Sequence, residues 1–183
     1  LVFDPVVGVA MGVTVAVLFF IVRMSRSMVR RTYRGDAVRS RKARDPKLME
    51  ALAAHGQQIV VFELEGPIFF GTAEDLATRV EAAAGEGARQ VVLDLRRVNE
   101  VDTTGARILI QIHERLRKQG GRLLLSHPHD NDLVSTVLRD LGVAGALGPG
   151  ALFADTDAAL EWAEEQVILA HGAGDVLTGE VAM

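Results

Sequence analysis

The order of apolar and polar positions divides the chain into two unlike parts. From residue 1 to 22 the sequence reads LVFDPVVGVAMGVTVAVLFFIV, with Asp4 its only charge. A basic stretch follows, containing Arg23, Arg26, Arg30, Arg31, Arg34, Arg39, Arg41, Lys42 and Arg44. An apolar run of about this length is the minimum that spans a hydrocarbon core. The positive charge comes after the run and not before it, the reverse of a signal peptide. The first expectation is therefore a transmembrane helix over 1–22, with the positive flank placing everything after it in the cytoplasm. The basic residues serve as a topology signal, and Arg23, Arg26, Arg30 and Arg31 are placed to meet anionic headgroups as well.

Beyond Asp45-Pro46 the pattern changes. Residues 47–54 read as a short helix or linker. IVVFELEG is a β-branched and aromatic strand closed by Gly66, and PIFFG reads as a second short strand opened by Pro67. Thr72 with Asp75 resembles a capping box for a helix over 72–84. QVVLDLRRV has the continuous apolar character of a strand buried on both faces. A helix over 102–118 follows, stopped by Gly120-Gly121, and then the strand RLLLS. Asp130 or Asn131 caps a helix to Leu141, and Asp155 caps TDAALEWAEEQVILA. Strands alternating with helices imply an α/β layer fold with crossover connections and a largely parallel sheet. The domain reading is a transmembrane helix 1–22, a basic linker 23–56, an α/β domain 57–170, and a glycine-rich tail 171–183 that leads onward or is a linker. The first residue, Leu1, suggests a piece of a longer product.

Composition narrows the chemistry. The 183 residues carry a net charge of −4 and no cysteine. Disulfides, thiolate catalysis and cysteine-based zinc sites are excluded, and no overall basic excess points to nucleic acid. Neither a phosphate-binding G-x-x-x-x-G-K-[ST] loop nor a G-x-S-x-G elbow is present.

One stretch concentrates candidate chemistry: NEVDTTGARILI, in which Asp102, Thr103, Thr104 and Gly105 precede an apolar run. Ile108, Leu109, Ile112 and Leu116 form an inward stripe, with Arg107, Gln111, Arg115 and Lys118 turned away. The helix start lies at the C-terminal edge of the sheet, where open α/β sheets bind ligands. Its dipole and free N–H groups favour a negative group there, including a phosphoryl group on Thr103. An ordinary N-cap accounts for the same residues, and a threonine nucleophile has no base nominated for it. SHPHDND brings His127, His129, Asp130 and Asp132 together, but as turn and cap residues between a strand and a helix, so no metal site is expected. Trp162 is read as a packing residue of the last helix, with nucleotide stacking as the alternative.

The apolar helix and basic linker, followed by VVFELEGPIFFGTAEDL, VVLDLRRVNEVDTTGARIL, GGRLLLS and FADTDAALEWAEE, resemble the cytoplasmic end of SulP-type anion transporters. The soluble part is similar to a STAS domain, the module shared by sulfate transporters and bacterial anti-sigma factor antagonists. The resemblance implies a four- or five-stranded, mostly parallel sheet flanked by helices and preceded by the last membrane helix of a transporter. It implies a regulatory, non-catalytic role without cofactor. The implied partners are the membrane, the transmembrane core of the same transporter, and a protein or nucleotide at the D-x-[ST]-G motif. In the antagonist branch the residue after the motif Asp is a phosphorylated Ser; the matching position here is Thr103. A membrane-tethered anti-sigma factor antagonist is the alternative reading.

Overall fold

A computed structural model describes residues 5–24, 27–128 and 131–171, with the side chains of 20–24 and of Asp132 left aside. Helix α1 (Pro5–Met24) comes first. Its large apolar side chains are exposed as far as Phe19. Among the described residues, no helix is long and apolar enough to cross a membrane.

Five strands then form one sheet in the order β1 (Val29–Arg34), β2 (Ile59–Ile68), β3 (Gln90–Val101), β4 (Arg122–Ser126), β5 (Leu152–Phe153). β1 runs antiparallel to β2, and the remaining neighbours are parallel. The sheet is thus mixed, with its central strands buried on both sides. Strand alternation assigns the two faces. Val60, Phe62, Leu64, Val91, Leu93, Leu123 and Leu125 turn toward α3 (Phe70–Gly85), α4 (Thr103–Lys118), α5 (Asp132–Asp140) and α6 (Val143–Leu147). Ile59, Val61, Val92 and Leu124 turn the other way, toward α2 (Pro46–His55) and α7 (Thr156–Ala170).

The second expected strand, PIFFG, does not exist as a separate element. Pro67 and Ile68 complete β2 after an irregularity at Gly66, whose φ of 91° a side chain would oppose. Helix α3 already begins at Phe70. Thr72 accepts the Phe69 N–H at 3.1 Å through its hydroxyl, so it caps from inside the first turn instead of preceding the helix.

The stretch read as a basic linker is also structured. It supplies edge strand β1 and a strap laid over α7. Ser40 donates its backbone N–H to Glu164 Oε1 at 2.7 Å, and Arg41 N–H donates to Asp157 at 2.9 Å. Lys42 Nζ reaches both Glu161 and Glu165 at 2.8 Å. Arg44 and Glu164 meet at 3.2 Å with side chains 1% and 2% exposed. Lysine and arginine here face an acidic helix of the same chain.

Candidate functional site

β3 ends at Val101, and Asp102 turns the chain into α4. Its extended backbone (φ −89°, ψ 171°) frees the side chain to accept the Gly105 N–H at 2.6 Å, satisfying one of the orphan donors of the first turn. The Asp102 N–H in turn donates to Ile68 O at 3.0 Å, which fixes the turn against the end of β2. Gly105 is buried beneath this contact. A Cβ there would meet Ile68 O at 2.5 Å, so only glycine lets the helix approach so closely. Asn131 caps α5 through the Leu133 N–H and donates its amide to Asn99 O at 3.1 Å, tying α5 to the same loop.

The four residues singled out in the sequence are thus held together, with distinct parts. Asp102 and Gly105 shape the turn, while Thr103 and Thr104 are exposed. Among the described residues no side chain hydrogen-bonds either hydroxyl, so neither has a general base beside it. Phe70 and Leu133, on the two segments tied to this turn, are 62% and 73% exposed.

The other candidates separate. Arg26, His129 and Asp130 lie outside the described residues, as does the tail after His171, and the side chain of Arg23 is likewise not described. Arg30 pairs with Glu65 at 3.2 Å, and Glu63 lies 3.9 Å from it. His127 Nε2 lies 3.0 Å from the Arg96 guanidinium. Among the described residues no group of three or more potential ligands is placed to hold a metal. Trp162 packs on the second core beside Phe153, ring centroids 6.2 Å apart, with the Arg122 guanidinium 4.6 Å from its ring centre.

A further polar site was not singled out from the sequence. Glu63, Asp94 and Ser126 lie in register across β2, β3 and β4, on the face toward α7. Asp94 is buried; it accepts the Thr156 hydroxyl at 2.9 Å and the Arg96 N–H at 2.9 Å. Above this row opens a cleft of about 250 Å³ lined by Arg30, Arg31, Tyr33, Arg96 and Arg97 besides these acids. Burial, reinforced by Glu63 and Asp94 and opposed by Arg96, pushes the Tyr33 hydroxyl up to about 12, so it stays a donor. The one signal in the sequence is the aspartate interrupting the apolar run VVLDL.

Residues 51–159 match the STAS domain family. The chain belongs to that family. A solved SulP transporter STAS domain from Vibrio cholerae is 27% identical, with a TM-score of 0.51 over 67% of this chain and 98% of that one. The putative sulfate transporter YvdB of Bacillus subtilis is 27% identical over 67% of this chain and 21% of its own length. Glutaminase 2 of Bradyrhizobium diazoefficiens is 31% identical over 80% of this chain and 23% of its own. The chain spans between 17% and 23% of the length of the first curated relatives it matches.

Proposed function

We propose that this chain is the C-terminal part of a SulP-type anion transporter, sulfate being the expected anion, in which the STAS domain regulates by contact and performs no catalysis. The observation that carries the reading is the STAS fold joined within one chain to the apolar helix α1, whose large apolar side chains are exposed as far as Phe19. In this reading residues 1–22 cross the plasma membrane and the STAS domain is cytoplasmic. The regulatory surface is the turn at Asp102, Thr103, Thr104 and Gly105, with Phe70 and Leu133 beside it. A phosphate on Thr103 adds about −1.5 to −2 charge at a helix N-terminus. Coupling of about 1–3 kcal/mol between this surface and the membrane part changes activity about 5- to 150-fold.

The test uses the complete reading frame, reconstituted in vesicles and assayed for sulfate uptake. Uptake is expected, with Thr103→Glu differing several-fold from Thr103→Ala. Equal rates for both variants and the parent make Thr103 a residue of the first helical turn and nothing more. Absence of uptake of any anion, together with binding to an anti-sigma factor kinase, overturns the transporter reading in favour of a membrane-tethered antagonist, which the exposed hydroxyl of Thr103 equally allows.

A further inference from the structure

We propose that the cleft between β1 and the start of α7 binds a tetrahedral dianion, a phosphate or sulfate group, gripped by Arg31 and Arg97 with Arg30, Arg96 and Tyr33 as further donors. The site is separate from the Thr103 turn and rests on the STAS fold alone, whichever larger protein carries it.

Charge gives the first argument. Four guanidiniums line the cleft against two carboxylates, Glu63 and Asp94. Both oxygens of Asp94 already accept hydrogen bonds, from the Arg96 N–H and from Thr156. Glu63 faces Arg30. Arg31 and Arg97 form no ion pair with any described residue, although acidic side chains are plentiful elsewhere on the domain and take up Arg34, Arg41, Lys42, Arg44, Arg79 and Arg115. A net positive excess is therefore gathered at one opening.

Geometry gives the second. A cleft of about 250 Å³ accepts a group of several heavy atoms. Beside the two carboxylates its lining offers four guanidinium forks, each able to match two oxygens of a phosphate or sulfate at once, and a phenol held in its protonated form. The floor is preorganised. Ser126, Thr156 and Asp94 form a buried hydrogen-bonded row, with Ser126 and Thr156 hydroxyls 3.0 Å apart, so the base of the cleft is set before any ligand arrives. A cation has no such welcome, because Asp94 is engaged through both oxygens and four arginines outnumber the two carboxylates.

The group has two physical sources, a free oxyanion or a phosphorylated lipid headgroup. β1 starts five residues after the end of α1, a reach of about 18 Å at full extension.

The experiment titrates the full chain, in neutral detergent, with sodium phosphate and with sodium sulfate by calorimetry, chloride balancing the ionic strength. A second arm measures sedimentation with phosphatidylcholine vesicles, with and without phosphatidylinositol 4-phosphate. Saturable binding in either arm is expected, not displaced by chloride. Arg31→Gln with Arg97→Gln should weaken it about tenfold or more. Arg97→Lys, which keeps the charge and loses the fork, should weaken it less, and Arg107→Gln on the exposed face of α4 should leave it unchanged. Unaltered thermal unfolding of each variant in the absence of ligand shows that the fold is kept. Binding of the free anions assigns the site to a soluble ligand; binding confined to the phosphoinositide vesicles assigns it to a headgroup. Absence of saturable binding in both arms, equal competition by chloride, or binding indifferent to the Arg31 and Arg97 substitutions overturns the proposal.

Discussion

Gly105 and His113 show how much of α4 hangs on single positions. The missing Cβ of Gly105 lets the helix start against the end of β2, and the atom it would strike is backbone, which cannot swing aside. Gly105→Ala is therefore expected to cost about 1–3 kcal/mol or more by overpacking, despite the better helix propensity of alanine; urea unfolding measures it, and unchanged stability would show that the β2–α4 contact yields easily. His113 is buried two turns later, with no hydrogen-bond partner at Nδ1 among the described residues. Burial first, then Arg117 and Arg122, hold its pKa below the ordinary 6.5, with Glu114 opposing. The unfolded chain thus takes up the proton at higher pH than the folded one. Stability that His113 supports above about pH 6.5 is lost as the pH falls toward the depressed folded value. His113→Phe should remove that part of the slope in denaturation midpoints recorded from pH 7.5 downward, and an unaltered slope would count against the assignment.

At the scale of elements, legibility follows burial. Central strands β2, β3 and β4 announce themselves because both faces meet helices, and α4 does so through its stripe of Ile108, Leu109, Ile112 and Leu116, all buried. Caps at Asp102, Asn131 and Asp155 mark three helix starts correctly. β1 is not legible as a strand because VRRTYR has no apolar period: it pairs on one side only, and Arg30 is met by Glu63 and Glu65, and Arg34 by Glu86, in place of a core. β5 and α6 are too short, at two and five residues, to carry a period. The turn at Asp102 was legible since its chemistry is local, whereas the arginine cleft was not, since strands far apart in sequence assemble it. The strap over α7 was equally hidden. Its centre is the buried pair of Arg44 and Glu164, and Glu164→Ala leaves Arg44 charged in the interior without a counter-ion, its remaining acceptor being the Glu161 carbonyl at 3.2 Å. A loss of about 3–5 kcal/mol is expected in chemical denaturation. Arg44→Met combined with Glu164→Leu should recover most of it; parent-like stability of Glu164→Ala would mean that the strap adds nothing.

Over the whole molecule, the sheet divides labour between its faces. One face, under α3 to α6, builds the larger core and presents the Thr103 turn; the other, under α2 and α7, carries the polar row and the arginine cleft. The two sites lie at the same C-terminal edge of the parallel strands but open on different elements, so a ligand at one need not obstruct a partner at the other. Both are reached through β3, which ends in Asp102 and contains Asp94. β2 spans them as well, with Glu63 at the cleft and Ile68 against the turn, so occupancy of the cleft can be felt at the turn through either strand.

The strap has a consequence for biosynthesis. Ser40 and Arg44 emerge from the ribosome well over a hundred residues before Glu164, the group that holds them. Until α7 has been made, the strap has no acidic face to lie on, and Val92 and Leu124 lack one of the two helices on their side of the sheet. The strap is thus fastened last, long after β1 has been able to pair with β2, so the sheet edge can form before the segment that follows it is tied down.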